Sequence, residues 1–322
     1  MRILFLQPDC TELQSDYQQN FPDALANVHE VFRYGEGYPD YSVEHTIEDV
    51  LGLCPFTPEL ICFGAAWEND EHPTAFDPHT AINTSGLDIP AVMILNKEYK
   101  KLDEKFKFVA NNNIRKVFTV HHNFRQWQEK TGVPFVHFPF AIDAEVVKAY
   151  GEPKKYDLGF AGNLHTAWTD MRLKVKNRIF WGGGRFRRPR YLGIRTYWRE
   201  WNQGLKSGED YARLMNSSKL WISTPSAIDL IGPRFYEVMG TKSLLFCSRS
   251  PVYEGLFEEG KHCVMFAEDL SDFDEKLFHY LKHEDERLAV VERAYSHVRE
   301  HHTWKRRVEQ FSEAVVGIVR HT

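Results

Sequence analysis

The chain has 322 residues, 40 Lys and Arg against 45 Asp and Glu, and 43% hydrophobic residues with 14% aromatics. At about 100–200 residues per domain that length points to two domains, and the apolar content is ample for packed cores, which excludes wholesale disorder. No apolar run approaches the ~18–20 residues that span a bilayer. The apolar opening over residues 1–6 is cut off by Gln7, Pro8 and Asp9, too early for a signal-peptide core. Five cysteines, odd in number and without C-x-x-C spacing, argue against a disulfide framework and against a zinc site. A soluble, reduced, cytoplasmic protein is the expectation.

In chain order, residues 2–6, 59–63, 91–95, 117–120 and 135–138 are apolar runs of four or five residues bounded by Pro, Gly, Asn or Asp. That is the pattern of buried parallel strands. Residues 41–53 and 99–110 between them carry helical spacing, and residues 68–88 read as a long polar loop. The second half repeats the rhythm, with strands expected at 157–161, 178–181, 220–224, 244–247 and 264–266. Helices are expected at 209–217, 234–239, 272–283, 284–300 and 305–319. Phe273, Leu277, Phe278 and Leu281 form one apolar stripe on the third of these. Strands alternating with helices imply α/β domains with parallel sheets, and residues 139–151 make the plausible connection between two of them.

The net charge of −5 conceals a strong asymmetry. Residues 1–96 hold sixteen acids against Arg2 and Arg33, a local charge of −14, whereas residues 172–199 hold ten Lys and Arg and no acid. Such blocks speak to partners more than to fold.

In open parallel sheets ligands bind beyond the carboxyl ends of the strands, where glycine turns and helix starts face anions. Gly162 and Asn163 end one expected strand, Gly183 and Gly184 follow the next, and residues 223–226 end another. A diphosphate cradle is the functional reading; ordinary βα turns that need positive φ are the bland one. A sharper feature runs from Ser226 through Asp229 and Gly232 to Glu237. An acid sits in a loop after a strand, Gly232 and Pro233 start a helix, and a second acid follows eight positions after the first. An acid on such a helix can grip a ribose diol. Incidental surface acids are the competing reading.

These residues resemble the E-x7-E region of the retaining, group 1 glycosyltransferases of the GT-B fold, with Asp229 in the first acidic position and Glu237 in the second. Residues 234–240, 257–260, 301–307 and the segment 140–143 are similar to the CgeB-type branch of that class. The resemblance implies two Rossmann-like parallel-sheet domains facing a central cleft. Residues 1–142 would form the acceptor-side domain, 143–303 the nucleotide-sugar domain, and 304–322 a final helix packing back on the first. It also implies that Glu237 holds the ribose hydroxyls, that Asp229 holds hydroxyls of the transferred sugar, and that the amides of Ile231 and Gly232 face the diphosphate. Gly162, Asn163, Gly183 and Gly184 would line the donor site. Asn163 stands where relatives carry an Arg, so Arg172 or Arg234 would supply the phosphate charge. His121 and His122, or Asn96 and Lys97, would stand for the amino-terminal group that meets the sugar; His121 is the catalytic candidate, and a satisfied structural histidine is the alternative.

The chain is therefore expected to be an enzyme, a hexosyl- or pentosyltransferase. Its co-substrate would be a UDP- or GDP-type sugar, and it would use no other cofactor. Retention of configuration follows from the resemblance alone, through an oxocarbenium-like centre. Chemistry without a metal is the expectation. The acceptor is open between a glycan, a protein, a small molecule and nucleic acid, the last because aromatics interleave the basic block. A non-catalytic nucleotide-sugar-binding or assembly protein on the same fold, and a nucleotide-sugar epimerase, are the competing functions.

Overall fold

A computed structural model of the protein describes residues 1–11, 17–65, 82–95, 98, 101–164, 170–182, 185–200, 208–226 and 229–319. The chain divides into two compact units, Met1–Pro139 with Trp304–Thr322, and Phe140–Thr303.

Unit 1 is built on a six-stranded sheet: β1 (Arg2–Leu6), β2 (Glu30–Tyr34), β3 (Leu60–Phe63), β4 (Ala91–Ile94), β5 (Ile114–Thr119) and β6 (Phe135–His137). Every pairing is parallel and the order is β2-β1-β3-β4-β5-β6. The central strands β3 and β4 are buried at every position, which is why they read as unbroken apolar runs. Around the sheet lie α1 (Tyr17–Ala26), α2 (Ile47–Leu53), α3 (Leu102–Asn111) and α4 (Phe124–Thr131). The last helix, α10 (Trp304–Val319), packs on α1 and β5: Phe311 meets Phe21 at 5.5 Å and Phe118 at 4.9 Å between ring centroids. Arg307 Nε donates to the Pro139 carbonyl at 2.6 Å and ties the start of α10 to the end of the sheet.

Unit 2 carries a five-stranded parallel sheet of β7 (Tyr156–Gly162), β10 (Thr196–Glu200), β11 (Ser218–Ser223), β12 (Leu244–Ser248) and β13 (Val264–Phe266), in the order β10-β7-β11-β12-β13. Its helices are α5 (Asp170–Ile179), α6 (Gly208–Asn216), α7 (Arg234–Gly240), α8 (Phe273–Lys282) and α9 (Glu284–His301). Successive connections leave β7 in opposite directions, first to β10 and later to β11. The carboxyl ends of β7 and β11 thus flank the switch point where ligands bind in such sheets.

Two parallel sheets agree with the sequence reading, with one correction. Residues 178–181 are not a strand of the main sheet. Helix α5 continues through Ile179, and β8 (Phe180–Trp181) pairs antiparallel with β9 (Phe186–Arg187) in a two-stranded hairpin. The strand beside β7 is β10, whose sequence TYWRE has no apolar run because a half-buried edge needs none.

Candidate functional site

The switch point of unit 2 gathers two arginines. Arg172, near the start of α5, donates from Nη1 to the Asn163 carbonyl at 3.0 Å and from Nε to Thr224 Oγ1 at 3.1 Å. One guanidinium therefore bridges the loops that follow β7 and β11. Arg234, the first residue of α7, comes at it from the other side. A Cβ placed on Gly162 would sit 2.9 Å from Arg234 Nη1 and 3.6 Å from Arg172 Nη1, so only a glycine leaves the two cations this close to the strand end. Among the described residues no carboxylate forms an ion pair with either arginine. Burial, and then the charge of Arg234, lowers Arg172 to about 10. Arg234 lies over the ring of Tyr211 with its carbon 5.4 Å from the centroid, and its Nε is buried without a hydrogen-bond partner. Burial raises the Tyr211 phenol well above its usual range, with Arg234 opposing. Two like charges held together, partly desolvated and without a counter-ion make a site for an anion of more than one charge.

The two acids sit on the loop before α7 and on α7 itself, the helix that Arg234 opens. Asp229 is exposed and has φ of 55°, a left-handed conformation that Asp tolerates better than most residues. Its loop is closed by Ser226, whose carbonyl accepts from Asp229 N at 3.0 Å and whose Oγ accepts from Leu230 N at 3.1 Å. Glu237 is half-buried on α7, three residues after Arg234 and so on the same side of the helix. Ile231 is buried and Gly232 half-buried just ahead of the helix, and neither backbone N–H donates to a backbone carbonyl among the described residues. Of the residues singled out in the sequence, the fold thus brings Gly162, Asn163, Arg172 and Arg234 to one strand-end locus, with Asp229, Ile231, Gly232 and Glu237 on the adjoining loop and helix. Gly183 and Gly184 lie outside the described residues, but the flanking Trp181 and Phe186 pair across a hairpin, so this glycine run does not follow a strand of the parallel sheet. Thr224 belongs to the strand end 223–226 named from the sequence, whereas Tyr211 is not singled out there and reaches Arg234 only through tertiary structure.

His121 belongs to unit 1, beyond the carboxyl end of β5. It is buried, its Nδ1 accepts from Asn123 N at 3.1 Å, and its ring stacks on His122 at 4.4 Å and leans on Trp127 at 4.9 Å. Its backbone N donates to Thr119 Oγ1, which in turn donates to Glu98 Oε1 at 2.5 Å. Glu98 is buried, its other oxygen has no partner, and burial raises its pKa. Nearby, burial pushes His137 down to about 4, with Arg307 and His122 adding to the effect. Asn96 and Lys97 lie outside the described residues.

Much of the basic block is neutralised within unit 2. Arg178 and Arg190 both meet Asp274 at 2.6 Å, Arg195 meets Asp157 at 2.9 Å, and Lys176 meets Glu200 at 2.6 Å. Arg187 and Arg188 donate instead to the carbonyls of Ile194 and Asn177.

Residues 173–313 match the family model for glycosyl transferase-like proteins. The matched stretch contains Asp229, Gly232, Arg234 and Glu237. Similar solved structures include Alr3699/HepE of Anabaena in complex with UDP-glucose, 11% identical with a TM-score of 0.61 over 98% of this chain and 100% of that one. Sucrose-phosphate synthase from Thermosynechococcus elongatus is 9% identical with a TM-score of 0.64, each chain covered over 100% of its length. An alpha-glucosyltransferase in complex with UDP-glucose and DNA containing an abasic site is 11% identical with a TM-score of 0.63, over 98% of this chain and 99% of that one. No curated protein sequence matches the chain. The chain has the α/β architecture of the GT-B fold, and its residues 173–313 are similar to the glycosyl transferase-like domain. No helix among the described residues is long and apolar enough to cross a membrane.

Proposed function

We propose that this chain moves a sugar from a UDP- or GDP-type sugar to an acceptor, with retention and without a metal, as a member of the group 1 class in its CgeB-type branch. One observation carries the reading: Arg172 and Arg234, without carboxylate partners among the described residues, converge on Gly162 at the switch point of unit 2. The donor diphosphate is the counter-ion they lack. Glu237 accepts hydrogen bonds from the ribose diol, Asp229 from hydroxyls of the transferred sugar, and the amides of Ile231 and Gly232 donate to the diphosphate beside Asn163. UDP-glucose in the complex of Alr3699/HepE supports a UDP-type donor.

In the reaction the bond between the anomeric carbon and the diphosphate oxygen breaks, and the diphosphate keeps the electron pair. The acceptor oxygen then bonds to the anomeric carbon on the same face, and its proton passes to the departing diphosphate. Arg172 and Arg234 stabilise the charge that grows on the leaving group, which is the largest electrostatic demand of the step and gives the arginines the role a metal plays elsewhere. Unit 1 carries the acceptor side in this reading, and at His121 the bond from Asn123 N to Nδ1 leaves Nε2 as the N–H donor.

A panel of UDP-, GDP- and ADP-sugars, read by thermal shift and by nucleotide release, tests the proposal. One donor should raise the melting temperature and be consumed, and Glu237→Ala should abolish both effects. A melting shift without turnover on any acceptor would favour the non-catalytic binding protein, and a changed sugar on an intact donor would favour the epimerase. No shift with any donor would remove the ribose and diphosphate assignments together.

A nucleic-acid acceptor is favoured by one further observation. Trp181 and Phe186 pair edge to face across the β8–β9 hairpin and are 54% and 60% exposed, beside the exposed Arg185 and Arg188. Exposed rings among arginines suit stacked bases, and the similar alpha-glucosyltransferase was solved with DNA. Transfer of labelled sugar to single-stranded DNA, lost in a Trp181→Ala, Phe186→Ala variant, would establish this acceptor; transfer to glycan or protein alone would exclude it.

A further inference from the structure

Helices α8 and α9 meet at His283, which closes the first and opens the second. Three side chains converge at this joint: His279 from the last turn of α8, His283 itself, and Glu286 from the first turn of α9. Their ligand atoms all lie within 4.8 Å of one another. His279 and His283 stand four residues apart with rings stacked at 4.1 Å and 28°, so the two imidazoles leave the surface side by side. Glu286 Oε2 lies 2.9 Å from His279 Nε2.

The tautomer of His283 adds a second, independent observation. Its Nδ1 lies 2.9 Å from the His279 carbonyl. A carbonyl only accepts, so Nδ1 carries the hydrogen and Nε2 holds the lone pair. Metal-ligating histidines are oriented in this way, with the second ring nitrogen donating to a carbonyl. Two imidazole nitrogens and a carboxylate oxygen form the donor set preferred by zinc and its neighbours, with a position left for water.

We propose that His279, His283 and Glu286 bind one divalent transition ion of the zinc class and that the ion staples α8 to α9. The site serves structure rather than sugar transfer. A helix that follows a parallel strand runs back toward that strand's amino end, so the last turn of α8, after β13, lies at the sheet edge opposite Gly162 and Thr224. Helix α9 packs on α7 and on β12, so fixing its first turn steadies the helix that lies under Arg234 and Glu237. Binding displaces the hydrogen shared between His279 and Glu286, and affinity falls as pH falls because a protonated imidazole cannot ligate.

Calorimetric titration of the untagged, metal-free full chain with zinc chloride tests the site. One ion per chain is expected, with cobalt binding more weakly than zinc in keeping with the general affinity series and calcium and magnesium not competing. Bound cobalt should show the visible absorption of a four- or five-coordinate ion. Zinc should raise the melting temperature of the chain, and EDTA should reverse the rise. His279→Ala and Glu286→Gln should each weaken binding at least tenfold, and the circular dichroism of both variants establishes that they fold. Wild-type affinity in a variant lacking all three side chains, or no uptake of zinc by the folded wild-type chain, would overturn the proposal. The sugar-transfer reading is untouched by either result.

Discussion

Arg172 Nη1 and Arg234 Nη1 lie 3.6 and 2.9 Å from a single point, the place a side chain on Gly162 would begin, so the two cations are within about 6.5 Å of each other. At an effective dielectric near 20, like charges at that distance repel by about 1–3 kcal/mol once solvent screening is counted. The two cations therefore repel each other, and the proposed diphosphate would offset that repulsion. Arg234→Met should leave the ligand-free chain at least as stable as wild type in thermal melts while removing most of the melting shift given by the cognate nucleoside diphosphate. A large loss of stability in the ligand-free variant would mean that Arg234 serves packing instead.

Gly162→Ala isolates geometry from charge. The added methyl would lie 2.9 Å from the flexible end of Arg234, which can swing away at small cost to the fold. Urea unfolding should show stability within about 1 kcal/mol of wild type, whereas diphosphate affinity should fall roughly tenfold, the worth of one charged hydrogen bond.

The two acids separate in kinetics. Glu237→Gln should weaken both the nucleoside diphosphate and the whole donor by about 10–100-fold, since the proposed ribose contact is common to both. Asp229→Asn should leave diphosphate affinity near wild type and lower kcat, because its proposed partner is the transferred sugar. Equal effects of both variants on diphosphate binding, by calorimetry, would contradict these roles.

Lys154 offers a test in pH. It is largely buried and donates to the carbonyls of Asn216 and Lys242, at the ends of α6 and α7, and burial lowers it to about 8, with Arg287 and Lys242 adding. A lysine depressed in the folded state binds fewer protons there than in the unfolded chain. Its contribution to stability thus rises with pH from about 8 toward the ordinary lysine value of 10.5, and its cost is fully present below 8. Urea unfolding across that window should show a slope that flattens in Lys154→Met.

Much of the sheet architecture is legible in the sequence, for a physical reason. Central strands such as β3 and β4, buried on both faces, must be apolar at every position. The edge strands β2 and β10 escape such a reading because Glu30, Arg33, Arg199 and Glu200 belong to half-exposed faces. Helix α5 escapes for a related reason: its basic residues hide the apolar stripe of Val175 and Ile179. The expected sheet strand at 178–181 misled because its apolar pair, Phe180 and Trp181, serves a short hairpin equally well. At the site, Gly162 announces itself as a strand-end glycine and Glu237 by its spacing from Asp229. The partners that give Arg172 its geometry do not: Thr224 stands 52 positions away in the chain, and Tyr211 reaches Arg234 from another helix.

The central claim is that Arg172 and Arg234 hold the donor diphosphate. Its most direct test is calorimetry of matched pairs, UDP with uridine and GDP with guanosine, against the wild-type chain and an Arg172→Gln, Arg234→Met variant. One diphosphate should bind wild type at least ~100-fold more tightly than its nucleoside, as two charge-assisted contacts require, and the gap should close in the variant. A diphosphate bound no better than its nucleoside, or a gap that survives the loss of both arginines, would contradict the account.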